Sequence, residues 1–168
     1  MTWYKSATKN INEKNLNKVL KSLIKKDKYV ISLFKQFGIP VDLIDRKLTF
    51  HIKDLDGKHA EANGKDIFLN NKLFTEGCFF KDNLHFVIHE LIHWLHRQSE
   101  KKWYFNDQEE IQSFVAAIAW EIHSGKTARE IQNEIYPIVK GHFTKEKNAK
   151  DFFNYLLTKA VFDIKNLE

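Results

Sequence analysis

The chain has 168 residues, 43% hydrophobic and 29% charged, with six Gly, two Pro and one Cys. This suits a single globular domain, residues 1–168, with a full core; it excludes low-complexity chains, internal disulfides and zinc sites built on CxxC pairs. The formal charge of +5 allows attraction to nucleic acid or an acidic partner, although no nucleic-acid motif accompanies it.

MTWYKSATKN, at the start, holds no apolar signal core, and the longest apolar run, FVAAIAW at 114–120, is too short for a membrane span. A soluble, cytoplasmic protein is the expectation. Residues 12–26 place Leu16, Val19, Leu20, Leu23 and Ile24 at helical spacing, with Lys14, Lys18, Lys21 and Lys25 as a solvated stripe. A second helix, DKYVISLFKQF, stops at Gly38 and Pro40. The period then changes: LTFHIKD alternates as a strand, DLDGK is a turn signal, and HAEA alternates again, which predicts a hairpin. KDIFLNN predicts a third strand.

From about Lys81 the pattern is helical. One helix, capped by Asp82 or Asn83, reaches about Ser99; another, capped by Asn106 or Asp107, reaches Ser124 and stops at Gly125. Thr127 and Glu130 form a capping box for TAREIQNEIYPIVK, which Pro137 is expected to kink or break, and a last helix starts at Thr144. Helices at 10–38, a three-stranded region, then helices to about 162 make an α+β fold. Trp94, Trp103 and Trp120 read as packing aromatics and Cys78 as a small buried hydrophobe.

The chemistry lies in FVIHELIHWLHR, residues 86–97. His89, Glu90 and His93 spell HExxH. On a helix, two histidines four apart share a face and can hold one zinc ion, while the glutamate beside the first reaches a water on that ion as general base. Chance yields such a motif in roughly 3% of chains of this composition, and the apolar residues around it strengthen the reading. His96 lies about 10.5 Å of helical rise beyond His89, too far to share the ion. The third ligand is therefore sought in the next helix, where Glu109 and Glu110 precede a strongly apolar run.

Three stretches resemble the ImmA/IrrE-like (M78-type) metallopeptidases: DIFLNN at 66–71, LHFVIHELIHWLH at 84–96 and EIQSFVAAI at 110–118. The resemblance covers about residues 66–120 and departs from the family at Ile92, where glycine is usual. It implies a zincin-like, gluzincin-type domain with its core at about 45–125, in which a small three-stranded sheet packs against the active-site helix. One Zn2+ per chain would be held by His89, His93 and Glu110, with Glu90 as base. Glu109 would face solvent or support a ligand. The implied activity is hydrolysis of peptide bonds in a protein or peptide, in the manner of limited proteolysis of a regulatory protein. Tyr104, Tyr136, His142 and Arg97 remain open as the second donor to the oxyanion, with His96 and Glu109 as further transition-state or supporting candidates; His123, about 20 Å of helical rise from Glu110, is too remote, and DIFLNN is expected as the edge strand receiving an extended peptide. The competing reading is a zincin-shaped protein that binds a protein or nucleic acid without turnover; Glu90, which a scaffold does not need, separates the two.

Overall fold

A computed structural model describes residues 12–75, 79–99, 107–141 and 146–167. Helix α1 (Glu13–Lys26) starts where the Asn12 side chain accepts the Asn15 N–H at 2.9 Å, and it buries Leu16, Leu20 and Ile24. Asp27 caps α2 (Lys28–Gln36) in the same way through the Val30 N–H. A short α3 (Leu43–Lys47), without a sequence expectation, leads into the sheet.

Strands β1 (Thr49–Lys53), β2 (Ala60–Asn63) and β3 (Asp66–Asn70) lie in the order β1-β3-β2. β1 runs parallel to β3, with Phe50 beside Ile67, and β2 runs antiparallel to it, with Ala62 beside Ile67. The expected β1–β2 hairpin is therefore wrong. The tight connection is Gly64-Lys65, with Gly64 at φ +60°, and it joins β2 to β3. DIFLN is also not an edge. Its buried Ile67 and Leu69 suit the middle of the sheet, whereas the small and charged residues of AEAN tolerate an edge.

Both outer edges are covered by side chains. Asn17 of α1 spans Phe50, donating Nδ2–H to its carbonyl and accepting its N–H, each at 2.8 Å, and Glu13 accepts the Ile52 N–H at 2.7 Å. At β2, Glu90 accepts the Ala62 N–H at 2.8 Å and Arg97 donates to the Ala62 carbonyl at 2.6 Å. Unpaired strand backbone is thereby satisfied from neighbouring helices.

After a 3-10 turn (Asn71–Phe74) and a single turn α4 (Phe79–Asp82), α5 runs from Leu84 to Gln98. Asn83 occupies its N-cap position but makes no cap bond; its side chain donates to the Leu73 carbonyl instead. Val87, Ile88, Leu91, Ile92, Trp94 and Leu95 of α5 are buried, as are all seven residues of the 114–120 run in α6 (Asp107–His123). α6 is apolar all round because it lies between α5 and α8 (Glu146–Lys165), with α7 (Ala128–Gly141) packed on both α6 and α8. Trp94 and Trp120 are core residues, as expected.

Gly125, at φ +91°, closes α6, and the Lys126 N–H bonds back to the Glu121 carbonyl. The Thr127–Glu130 capping box forms. Pro137 does not break α7: the carbonyl its missing N–H would have met belongs to Asn133 on the exposed side, where water can satisfy it. Within the described residues, no helix is long and apolar enough to cross a membrane. The expectations for Cys78, Trp103, Tyr104, the Asn106 cap, His142 and the helix start at Thr144 fall outside the described residues.

Candidate metal centre

α5 and α6 pack antiparallel, since His93 meets Glu109 near one end of the pair and His85 meets Glu121 near the other. Four-residue spacing puts His89 and His93 on the α5 face turned to α6, and Glu110, in the first turn of α6, approaches both. His89 Nε2 and His93 Nε2 are 3.3 Å apart; Glu110 Oε2 is 3.4 Å from the first, and Glu110 Oε1 is 3.0 Å from the second. A tetrahedral ion with bonds of about 2.0–2.1 Å spaces its ligand atoms about 3.3–3.4 Å apart. These three side chains could therefore hold a metal ion with little rearrangement.

His93 is buried, and its Nδ1 donates to Glu109 Oε1 at 2.6 Å. Glu109 is 4% exposed. Of the two roles expected for it, the solvent-facing one is wrong. Its carboxylate fixes the His93 tautomer so that Nε2 is presented to Glu110 and His89, as supporting carboxylates do for metal-ligating histidines. That need of a ligand histidine for an Nδ1 partner is the sequence-level signal for Glu109.

Electrostatics follow from the same contacts. Burial alone would push His93 down, but hydrogen bonds to Glu110 and Glu109, with the Glu90 charge nearby, hold it up at about 9. The His89 and His93 hydrogen bonds hold the Glu110 carboxyl well below its ordinary range, against the effect of burial. Without an ion, a protonated His93 supplies the positive charge between these carboxylates.

The cluster opens on a cavity of about 570 Å³ lined by α5, α6, α7 and the β2 segment, with Glu90 and Arg97 in its wall. Glu90 lines the cavity while its Oε2 accepts the Ala62 N–H.

The remaining candidates within the described residues separate clearly. His96 lies away from the ligand group, its Nε2 2.8 Å from Gln112 Oε1 and its ring edge-on to Phe37, as the helical rise predicts. His123 bonds Asp27 at 3.2 Å at the far end of α6, and Tyr136 packs against Phe153; neither lines the cavity. Arg97 does. Reading the sequence alone passed over the anchoring of Glu90 by Ala62, a contact between residues 28 apart with no local signature. Compared with protein-family models, curated proteins and solved structures, the chain finds no match.

Proposed function

We propose that the protein is a zinc-dependent metallopeptidase with a zincin-like domain, of the ImmA/IrrE-like kind that its motifs resemble. The observation that carries the reading is the approach of Glu110, from a different helix, to within 3.4 Å of both HExxH histidines. When bound, zinc would supply Lewis acidity to a water molecule and to the scissile carbonyl. Glu90 takes the proton of the attacking water on Oε1 and delivers it to the leaving amine nitrogen, its other oxygen being held by the Ala62 N–H. Arg97, which among the considered donors within the described residues lines the cavity, would assist the developing oxyanion.

β2, not DIFLN, is the strand beside the cavity, so an extended peptide would lie beside β2 on the Ala60 side of Ala62, whose own N–H and carbonyl are held by Glu90 and Arg97. Glu109, by holding the proton on His93 Nδ1, leaves Nε2 as the nitrogen that would bind an ion and keeps the ring correctly turned. The substrate class is a protein or peptide, and the family resemblance favours limited cleavage of a regulatory protein.

The test compares zinc content and cleavage of an unfolded protein substrate. His93→Ala and Glu110→Ala should each lose an equivalent of zinc relative to wild type. Glu90→Gln should keep that zinc and lose cleavage. Unchanged zinc in both ligand variants would reject the site, and cleavage surviving in Glu90→Gln would reject the base.

A further inference from the structure

A second group of ionisable side chains meets around His85, the one member of the group that lines the same cavity, and the peptidase reading makes no use of it. His85, one turn before His89 on α5, is 5% exposed, and neither of its ring nitrogens has a hydrogen-bond partner. Its Nδ1 lies 3.3 Å from Oε1 of Glu121, which is 1% exposed on α6. Glu134 of α7 brings a carboxylate oxygen to the same place, with the three ligand atoms within 4.8 Å of one another. Lys126, turned back by the Gly125 helix stop, sits with Nζ 2.6 Å from Glu121 Oε2 and 2.6 Å from Glu134 Oε2.

A buried imidazole beside a carboxylate ordinarily makes a short, straight hydrogen bond, as His93 does with Glu109 at 2.6 Å. His85 and Glu121 do not. Their separation equals that of His89 Nε2 and His93 Nε2, and it is the spacing of two ligand atoms whose lone pairs converge on a third point. An imidazole nitrogen with two carboxylates is a donor set for a divalent borderline cation such as zinc or manganese. Two carboxylates balance a divalent charge, whereas the single ammonium of Lys126 offsets only one of them.

We infer that His85, Glu121 and Glu134 form a second divalent-cation site, for which Lys126 is the built-in competitor. Along α5 the two sites are offset by four to eight residues, about 6–12 Å of helical rise. The ions would thus be separate, unlike a bridged pair about 3.5–4 Å apart. This second ion would tie the turn between α6 and α7, and the first half of α7, to the cavity wall. It does not depend on the first site being catalytic.

Zinc titration of the chelator-treated full-length chain, followed by metal counting after desalting, tests the inference. Wild type should take two equivalents, and His85→Ala, Glu134→Gln and His93→Ala one each. Glu134 is only partly buried, so Glu134→Gln tests the site even where His85→Ala fails to fold. Lys126→Gln should tighten the second equivalent about tenfold or more, a gain that the loss of a purely structural ion pair would not produce. A wild type that takes a single equivalent, lost in His93→Ala, would overturn this site and leave the first standing. Two equivalents retained in Glu134→Gln, or weaker binding in Lys126→Gln, would also overturn it.

Discussion

Exchanging Glu109 for Gln, set against Glu110→Ala, tests the assignment of roles to two adjacent acids. Glu109 meets His93 through a 2.6 Å bond to Nδ1, whereas Glu110 faces the Nε2 atoms of both histidines. Glu109→Gln keeps the shape and an acceptor oxygen but removes the charge that orients His93. Losses of such supporting carboxylates typically cost 10–100-fold in metal affinity, about 1.4–2.7 kcal/mol. Glu110→Ala removes a ligand atom outright and should cost more. The assay is competition for zinc against a chromophoric chelator at fixed pH, with circular dichroism to confirm folding. The expected order is wild type, then Glu109→Gln, then Glu110→Ala. If Glu109→Gln abolishes binding while Glu110→Ala costs only tenfold, the two roles are exchanged. If Glu109→Gln binds as wild type does, the contact to His93 does no orienting.

Two further outcomes are expected. In the metal-free protein His93 is raised from its ordinary 6.5 to about 9, so the stability it contributes is full below about pH 6.5 and is lost as pH rises through about 9. The melting temperature of chelator-treated protein should fall across that window while zinc affinity rises, and a flat profile with no proton release on zinc binding would contradict it. Asn17→Ala removes two 2.8 Å bonds to Phe50 at the sheet edge and should destabilise by about 1–3 kcal/mol in urea unfolding; an unchanged midpoint would show that the edge is held by packing alone.

Much of the local structure was legible because its causes are local. The α1 apolar stripe, the Gly125 stop and the Thr127–Glu130 box each depend on residues within one or two turns. The exclusion of His96 needed only the rise of a helix. Strand pairing was misread because it depends on which strand buries its residues in the middle: HAEA and LTFHIKD alternate equally well, but only β3 carries a buried run fit for two neighbours. Pro137 does not break α7, because the cost of a helical proline depends on whether the orphaned carbonyl faces water.

For the site, sequence by itself determined the HExxH face. The spacing of His89 and His93 on one helix forces their rings together, and Glu90 is attached to the same turn. Which neighbouring acid completes the group was open from spacing alone, since Glu109 and Glu110 differ by one residue and so by about 100° around α6. The antiparallel docking of α6 on α5 decided it, turning Glu110 to both Nε2 atoms and burying Glu109 behind His93. The same docking created the His85–Glu121 contact, and the packing of β2 on α5 set Ala62 against Glu90 and Arg97. Such contacts join residues 28 to 36 positions apart, and only the packing of whole elements, driven by burial of their apolar faces, selects which of them form.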